Sequence, residues 1–235
     1  GTVHVYLIWY GDWNQANGSD TPTGQALIRT FLGNVGGSPY FNINTTYPGV
    51  SGLVALSSME VTDTGSLGAT LTDANVQSLV STAISSGKLP RDTNGLYFVL
   101  TSTNVAESSG FCTQYCGWHS WFPKGKVAVK FSFVGDPSGP MVKNCAAQSV
   151  SPNRDVAGDA MASTIAHELT ETVTDPTLKG WRTARGEENA DRCAWQYGKV
   201  HTLPSGAYAN MTLGSREWLI QLNWVNDSSP HCGLS

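Results

Sequence analysis

The stretch MASTIAHELTETVTDP, residues 161–176, decides how the chain is read. Met161, Ile165, Leu169 and Val173 recur at every fourth position and make one apolar stripe, while His167 and Glu171 share another face. This spacing predicts an amphipathic helix that shows an imidazole and a carboxylate one turn apart, away from its buried side. Glu168 stands between them in the order H-E-x-x-E. In metal-dependent hydrolases with H-E-x-x-H, two histidines on adjacent turns grip zinc and the neighbouring glutamate is the general base. Here Glu171 takes the second ligand position. Thr164, Thr170, Thr172 and Thr174 are mediocre helix formers, so local propensity did not choose this helix. Pro176 ends it and places Asp175 at the helix exit.

A third ligand is needed, and the segment GWRTARGEENADRCAW supplies candidates. Glu187, Glu188 and Asp191 cluster there in a chain that is only 14% charged. Asp191 lies 24 residues beyond His167 and 20 beyond Glu171, about where thermolysin-like peptidases place an acidic third ligand. The spacing favours Asp191, with Glu188 in reserve. An acidic surface loop or a separate structural calcium site is the other reading of the cluster, because calcium takes such oxygen ligands.

The pattern H-E-L-x-E-x-x-T-D-P, followed by Trp181 and by E-N-A-D-R-C-A-W from Glu188 to Trp195, resembles the phosphate-induced, or EXORDIUM-like, family of secreted proteins, especially its microbial members. The resemblance continues in I-W-Y-G-D-W from Ile8, V-L-T-S from Val99, F-C-T-Q-Y-C-G-W-H from Phe111 and Q-L-N-W-V-N from Gln221, and so spans nearly the whole chain. It implies an extracellular or cell-wall location and, where H-E-x-x-E survives, a zincin-like metal site. Some plant members lack the H-E pair, so the resemblance alone implies no turnover.

Composition bounds the rest. The 235 residues carry a net charge of −4, with no basic patch for nucleic acid and no apolar run long enough to span a membrane. One domain is expected over 1–235, with a sheet and metal helix in 1–176 and a C-terminal subdomain in 177–235. Abundant Gly, Ser, Thr and Asn give the neutral polar surface expected of a secreted monomer. The chain opens on a strand, which reads as a mature product after leader cleavage. Asn17, Asn44, Asn210 and Asn226 begin N-x-S/T triplets that permit glycosylation.

Strands are expected at 3–10, 53–61, 96–101 and 127–134, and helices at 21–32 and 72–86, the second with Thr72 as N-cap. This β-α-β-α-β-β order before the metal helix suits an α+β, zincin-like fold: a twisted mixed sheet backed by helices, then an irregular C-terminal portion. One further strand is expected within 217–225, with Trp218 and Trp224 packing as core or rim.

Five cysteines leave at least one without an intrachain partner. Cys112 and Cys116 are close enough in sequence to bridge, and a Cys193–Cys232 bond would tie the third-ligand loop to the C-terminus. Microbial family members carry another cysteine shortly before the Cys145 position, where this chain has Gly139, Pro140 and Met141; that departure makes Cys145 the expected free thiol. His119 is read as a histidine holding its loop together. The sharper alternative has it stabilising an oxyanion in the cleft or supplying an additional metal ligand. His4, His201 and His231 receive no role.

The expected chemistry is zinc-assisted hydrolysis of a protein or peptide substrate. His167, Glu171 and Asp191 hold the ion, a fourth position stays open for water, and Glu168 takes the water's proton. Two carboxylates and one imidazole neutralise a divalent ion that two imidazoles and one carboxylate would leave at +1. Such a centre acidifies water less, and its oxygen donors also admit manganese, magnesium or calcium. Two rivals stand beside this reading: a metal-stabilised extracellular protein without turnover, and a secreted module that holds a glycan on its tryptophans.

Overall fold

The run VHVYLIWY forms β1 (Val3–Tyr10), the second strand of a five-stranded sheet in the computed structural model, which describes residues 1–14 and 22–235. The other strands are β2 (Val54–Asp63), β3 (Gly95–Thr101), β4 (Gly117–Lys124) and β5 (Val127–Gly135). Their order is β2-β1-β3-β5-β4; the first four run parallel and β4 pairs antiparallel with β5 at the edge. Parallel strands covered on both faces read as continuous apolar runs, and β1 and β3 do.

Side chains alternate between the two faces. Val5, Leu7 and Trp9 join Leu96, Phe98 and Leu100 against α1 (Pro22–Val35) and the H-E-x-x-E helix, while Tyr6, Ile8 and Tyr10 join Tyr97 and Val99 against α2 (Asp73–Ser85). Helices therefore cover both faces, an assignment to faces that the α+β expectation had not made. Thr72 caps α2 as expected, accepting the Asn75 N–H while the Asn75 side chain accepts the Thr72 N–H. Residue 21, the expected start of α1, lies outside the described residues.

The helix that carries H-E-x-x-E is α3 (Val156–Thr174), one turn longer at its N-terminus than the apolar stripe indicated. Asp155 caps it by accepting the Gly158 N–H at 2.8 Å, and Asp175 ends it. Met161, Ile165 and Leu169 face the sheet. The face expected to meet solvent does not: Glu168 and Glu171 are buried as well, because β4 and the C-terminal loops cover them. The threonines survive in this helix by bonding back to it. The Thr172 hydroxyl donates to the Glu168 carbonyl at 2.7 Å, and the Thr174 hydroxyl to the Thr170 carbonyl at 3.1 Å.

The C-terminal portion is short hairpins. The single strand expected at 217–225 is instead two, Arg216–Trp218 paired with Met211–Leu213 and Asn223–Val225 paired with His231–Gly233. Residues 219–222 leave the ladder because their polar groups are used elsewhere: the Ile220 N–H donates to the Asn210 side chain and the Leu222 N–H to the Gln196 carbonyl. Trp218 is fully buried edge-on to Phe31, and Trp224 lies beneath Arg192.

The disulfides are Cys116–Cys145 and Cys193–Cys232, and Cys112 is the free, buried cysteine. The second bond is the one expected. The Cys112–Cys116 pairing and the free Cys145 are corrected, and the local chain shows why. Cys112 takes a left-handed φ of 62°, and its N–H donates to the Tyr115 carbonyl, closing a tight turn. Cys112 is buried, while Cys116 meets Cys145, whose sulfur also lies 3.8 Å from that of Cys112.

Two glycosylation expectations also fail. Asn44 is buried, donating to the Phe41 carbonyl and accepting from Asn189 and Asn223; the Asn210 amide donates to the Tyr197 and Ile220 carbonyls. Asn17 lies outside the described residues. Among the described residues no helix is long and apolar enough to cross a membrane.

Candidate metal centre and cleft

His167 and Glu171 share one face of α3, so the helix itself sets their ring nitrogen and carboxylate oxygen 2.9 Å apart. Asp191 arrives from a short helical turn, Asp191–Cys193, and its Oδ1 lies 3.5 Å from the same His167 Nε2. Three restraints hold that turn in place. The Asp191 N–H donates to Glu171 Oε1 at 3.2 Å, the Gln221 side-chain amide donates to the Ala190 carbonyl at 2.9 Å, and Cys193 is bonded to Cys232. The ligand atoms of His167, Glu171 and Asp191 lie within 4.8 Å of one another, so the structure brings together the three residues named from spacing.

His119 was misjudged. It sits on β4, its side chain 4% exposed, among three carboxylates. Its Nδ1 is 3.3 Å from Glu168 Oε2 and 3.5 Å from Glu171 Oε2, and its Nε2 is 3.4 Å from Glu188 Oε1. It belongs to a strand, so the loop-holding role is withdrawn. Glu188, the reserve ligand, points to His119 and Arg182 rather than to His167. His119, Glu171 and Glu188 thus form a second donor set that shares Glu171 with the first. His119 Nε2 and Glu188 Oε1 are both buried without a hydrogen-bond partner.

The electrostatics follow from this crowding. Burial works against charge on His119, but the carboxylates of Glu168, Glu171 and Glu188 outweigh it and its pKa is pushed up to about 12. Burial likewise opposes charge on His167, and the Glu171 charge with the Asp191 hydrogen bond holds it well above the ordinary imidazole value. Burial would raise Glu171, yet His167 and His119 push it down to about 2. Glu168 is held above the usual carboxylate range by burial, as is Glu188. Carboxylates and imidazoles in this cluster thus favour one another's charged forms, while burial opposes them.

A cleft of about 560 Å³ opens over this cluster. Its floor is α3 at Ser163, Thr164, His167 and Glu168; one wall is residues 112–117 with Cys145, and the other is Asp191, Ala194, Trp195, Tyr197 and Gln221. His119, Glu171 and Glu188 do not line it. Only the first donor set, through His167 and Asp191, is open to a ligand, with Glu168 beside it.

Residues 1–213 match the conserved region of phosphate-induced protein 1. The chain belongs to that family. It is similar to EXORDIUM-like 3 of Arabidopsis thaliana, 27% identical over 270 aligned residues that cover 94% of this chain and 76% of the relative. PHOSPHATE-INDUCED 1 of Nicotiana tabacum is 25% identical over 237 residues, covering 85% of this chain and 70% of the relative. The family match includes α3 and Asp191 and stops before Gln221 and Cys232. No solved structure matches the chain.

Proposed function

We propose that this chain is a secreted, zincin-like metallopeptidase whose centre is His167, Glu171 and Asp191, with Glu168 as general base. The observation that carries the reading is the placement of Glu168 beside His167 and Asp191 on the cleft, next to a three-donor set from two separate elements. One imidazole and two carboxylates suit zinc, and their oxygen content also suits manganese. Fit makes one demand: holding a cation through Nε2 puts the His167 proton on Nδ1, and the Gln221 amide 3.1 Å away would present its oxygen to the ring only by giving up its bonds to the Ala190 carbonyl and the Trp195 N–H. Two disulfides fit an oxidising, extracellular setting.

When bound, the ion supplies Lewis acidity toward a carbonyl and toward water. The chain supplies the rest. Glu168, held above the usual carboxylate range by burial, takes a proton from water as it adds to the peptide carbonyl, then gives it to the departing amine. His119 Nδ1 donates to Glu168 Oε2, so one carboxylate oxygen is fixed by the protein. His119 is a positioning residue in this scheme.

The test is Glu168→Gln assayed on casein and on an unbiased peptide library. The reading expects a loss of roughly 10²- to 10⁴-fold in kcat/KM with metal content unchanged. A variant that cleaves like the parent removes the general-base assignment. A parent that binds metal and cleaves nothing leaves a metal-stabilised protein without turnover.

A further inference from the structure

Four non-glycine residues among those described adopt a left-handed backbone, and two of them, Cys112 and Trp195, line opposite walls of the cleft. A bulky residue at φ 61° is unfavourable and persists only where its surroundings over-determine it. For Trp195 they do: Cys193, two residues earlier, is disulfide-bonded, and the Trp195 N–H donates to Gln221 Oε1 at 3.2 Å. The strain is maintained to present an indole that stays 55% exposed. Trp118, Trp181 and Trp218 each pack against another ring, and Trp224 against a guanidinium. Among the described residues the Trp195 ring has no such neighbour.

The same Gln221 amide reaches His167 Nδ1 and the Ala190 carbonyl. One side chain therefore ties the backbone of Trp195 to the turn that carries Asp191 and to the His167 ring. Charged groups line the cleft only at the candidate centre, as His167, Glu168 and Asp191; Thr113, Gln114 and Asn144 on the facing side are neutral. Away from that centre the cleft therefore has no charged group to hold an acidic side chain. A flat indole in a neutral wall attracts another ring or a large apolar group.

We propose that Trp195 forms a subsite for an aromatic or large apolar side chain of a peptide lying along the cleft. This rests on the peptidase reading for the identity of the ligand, although the binding it describes requires no turnover. The experiment follows the Trp195 indole N–H resonance in the isotope-labelled full chain, assigned by its disappearance in Trp195→Phe. The titrants are N-acetylphenylalanine amide, N-acetylalanine amide, N-acetylglutamate amide and a cello-oligosaccharide.

A saturable shift is expected with the phenylalanine amide and little with the alanine or glutamate amides. By calorimetry, Trp195→Ala weakens phenylalanine amide binding roughly two- to tenfold, and Trp195→Tyr restores most of it. An unmoved indole, an equal response to the alanine amide, or a larger shift with the oligosaccharide overturns the proposal, the last in favour of glycan binding. A responding indole in a protein that cleaves nothing keeps the subsite and removes the peptidase reading. Cleavage with an unmoved indole does the reverse.

Discussion

His119 and Glu168 stand 49 residues apart in sequence and 3.3 Å apart in space, a ring nitrogen of an edge strand against a carboxylate oxygen of the helix it covers. The pair joins the two halves of the candidate centre. Glu171, one turn along, meets His119 with one oxygen and His167 with the other. A change at the strand is therefore felt at the helix and, through Glu171, at the first donor set.

His119→Gln is expected to leave Glu168 buried without its ion-pair partner and to take one of two cationic neighbours from Glu171 and from Glu188. Breaking a buried ion pair costs roughly 3–5 kcal/mol, so the urea midpoint of the variant should fall accordingly. His119 lowers the pKa of Glu168, so its removal raises it. The acid limb of the pH–rate profile should then move to higher pH. A variant with parental stability and an unmoved acid limb contradicts this role.

Gln221→Leu removes the group that orients the His167 ring and ties it to Ala190 and Trp195. Loss of such an outer partner weakens metal affinity by roughly 10- to 100-fold. Competition with a chromogenic chelator reads this directly, and an unchanged affinity would show that Gln221 orients nothing.

The Cys193–Cys232 bond closes 39 residues and holds the turn that carries Asp191. Cys193→Ser/Cys232→Ser should cost roughly 2–5 kcal/mol in chemical denaturation. Metal affinity should fall in the same variant, since Asp191 loses a restraint while His167 and Glu171 keep theirs. Parental affinity would mean that the hydrogen bonds alone position Asp191.

Away from the centre, Asp92 accepts from His4 and from the Tyr6 hydroxyl, fastening β1 to the segment before β3. Burial would raise its pKa, but the His4, Asn94 and Tyr6 hydrogen bonds prevail and lower it. A carboxyl depressed in the folded state adds stability above its unfolded pKa, about 3.9, and loses it as pH falls through the folded value. Asp92→Asn should therefore be less stable than the parent at pH 7, with the difference closing below about pH 4. A difference that persists unchanged at pH 3 would assign the effect to shape rather than charge.

Much of this was legible in the sequence. The strands of 3–10 and 96–101 announce themselves because parallel strands covered on both faces are nearly continuous apolar runs, and 127–134 does so by its β-branched and aromatic residues. That Asp191 comes to His167 and Glu171 was legible in its spacing beyond the helix. Strand β4 was not: GWHSWFPK mixes a proline, a histidine and tryptophans, and it becomes a strand only by pairing along the whole of β5. With β4 went the role of His119, although the pattern F-C-T-Q-Y-C-G-W-H ends on it. Nor could the first cysteine pair be read, since proximity along the chain suggests Cys112 with Cys116 while the fold brings Cys145 to Cys116.

Elemental analysis of the purified full chain, alongside His167→Ala and Glu168→Gln, tests the central claim most directly. The account predicts one transition-metal ion per chain, kept in Glu168→Gln and lost in His167→Ala. A parent without stoichiometric metal, or an ion that stays bound when His167 is removed, would contradict it.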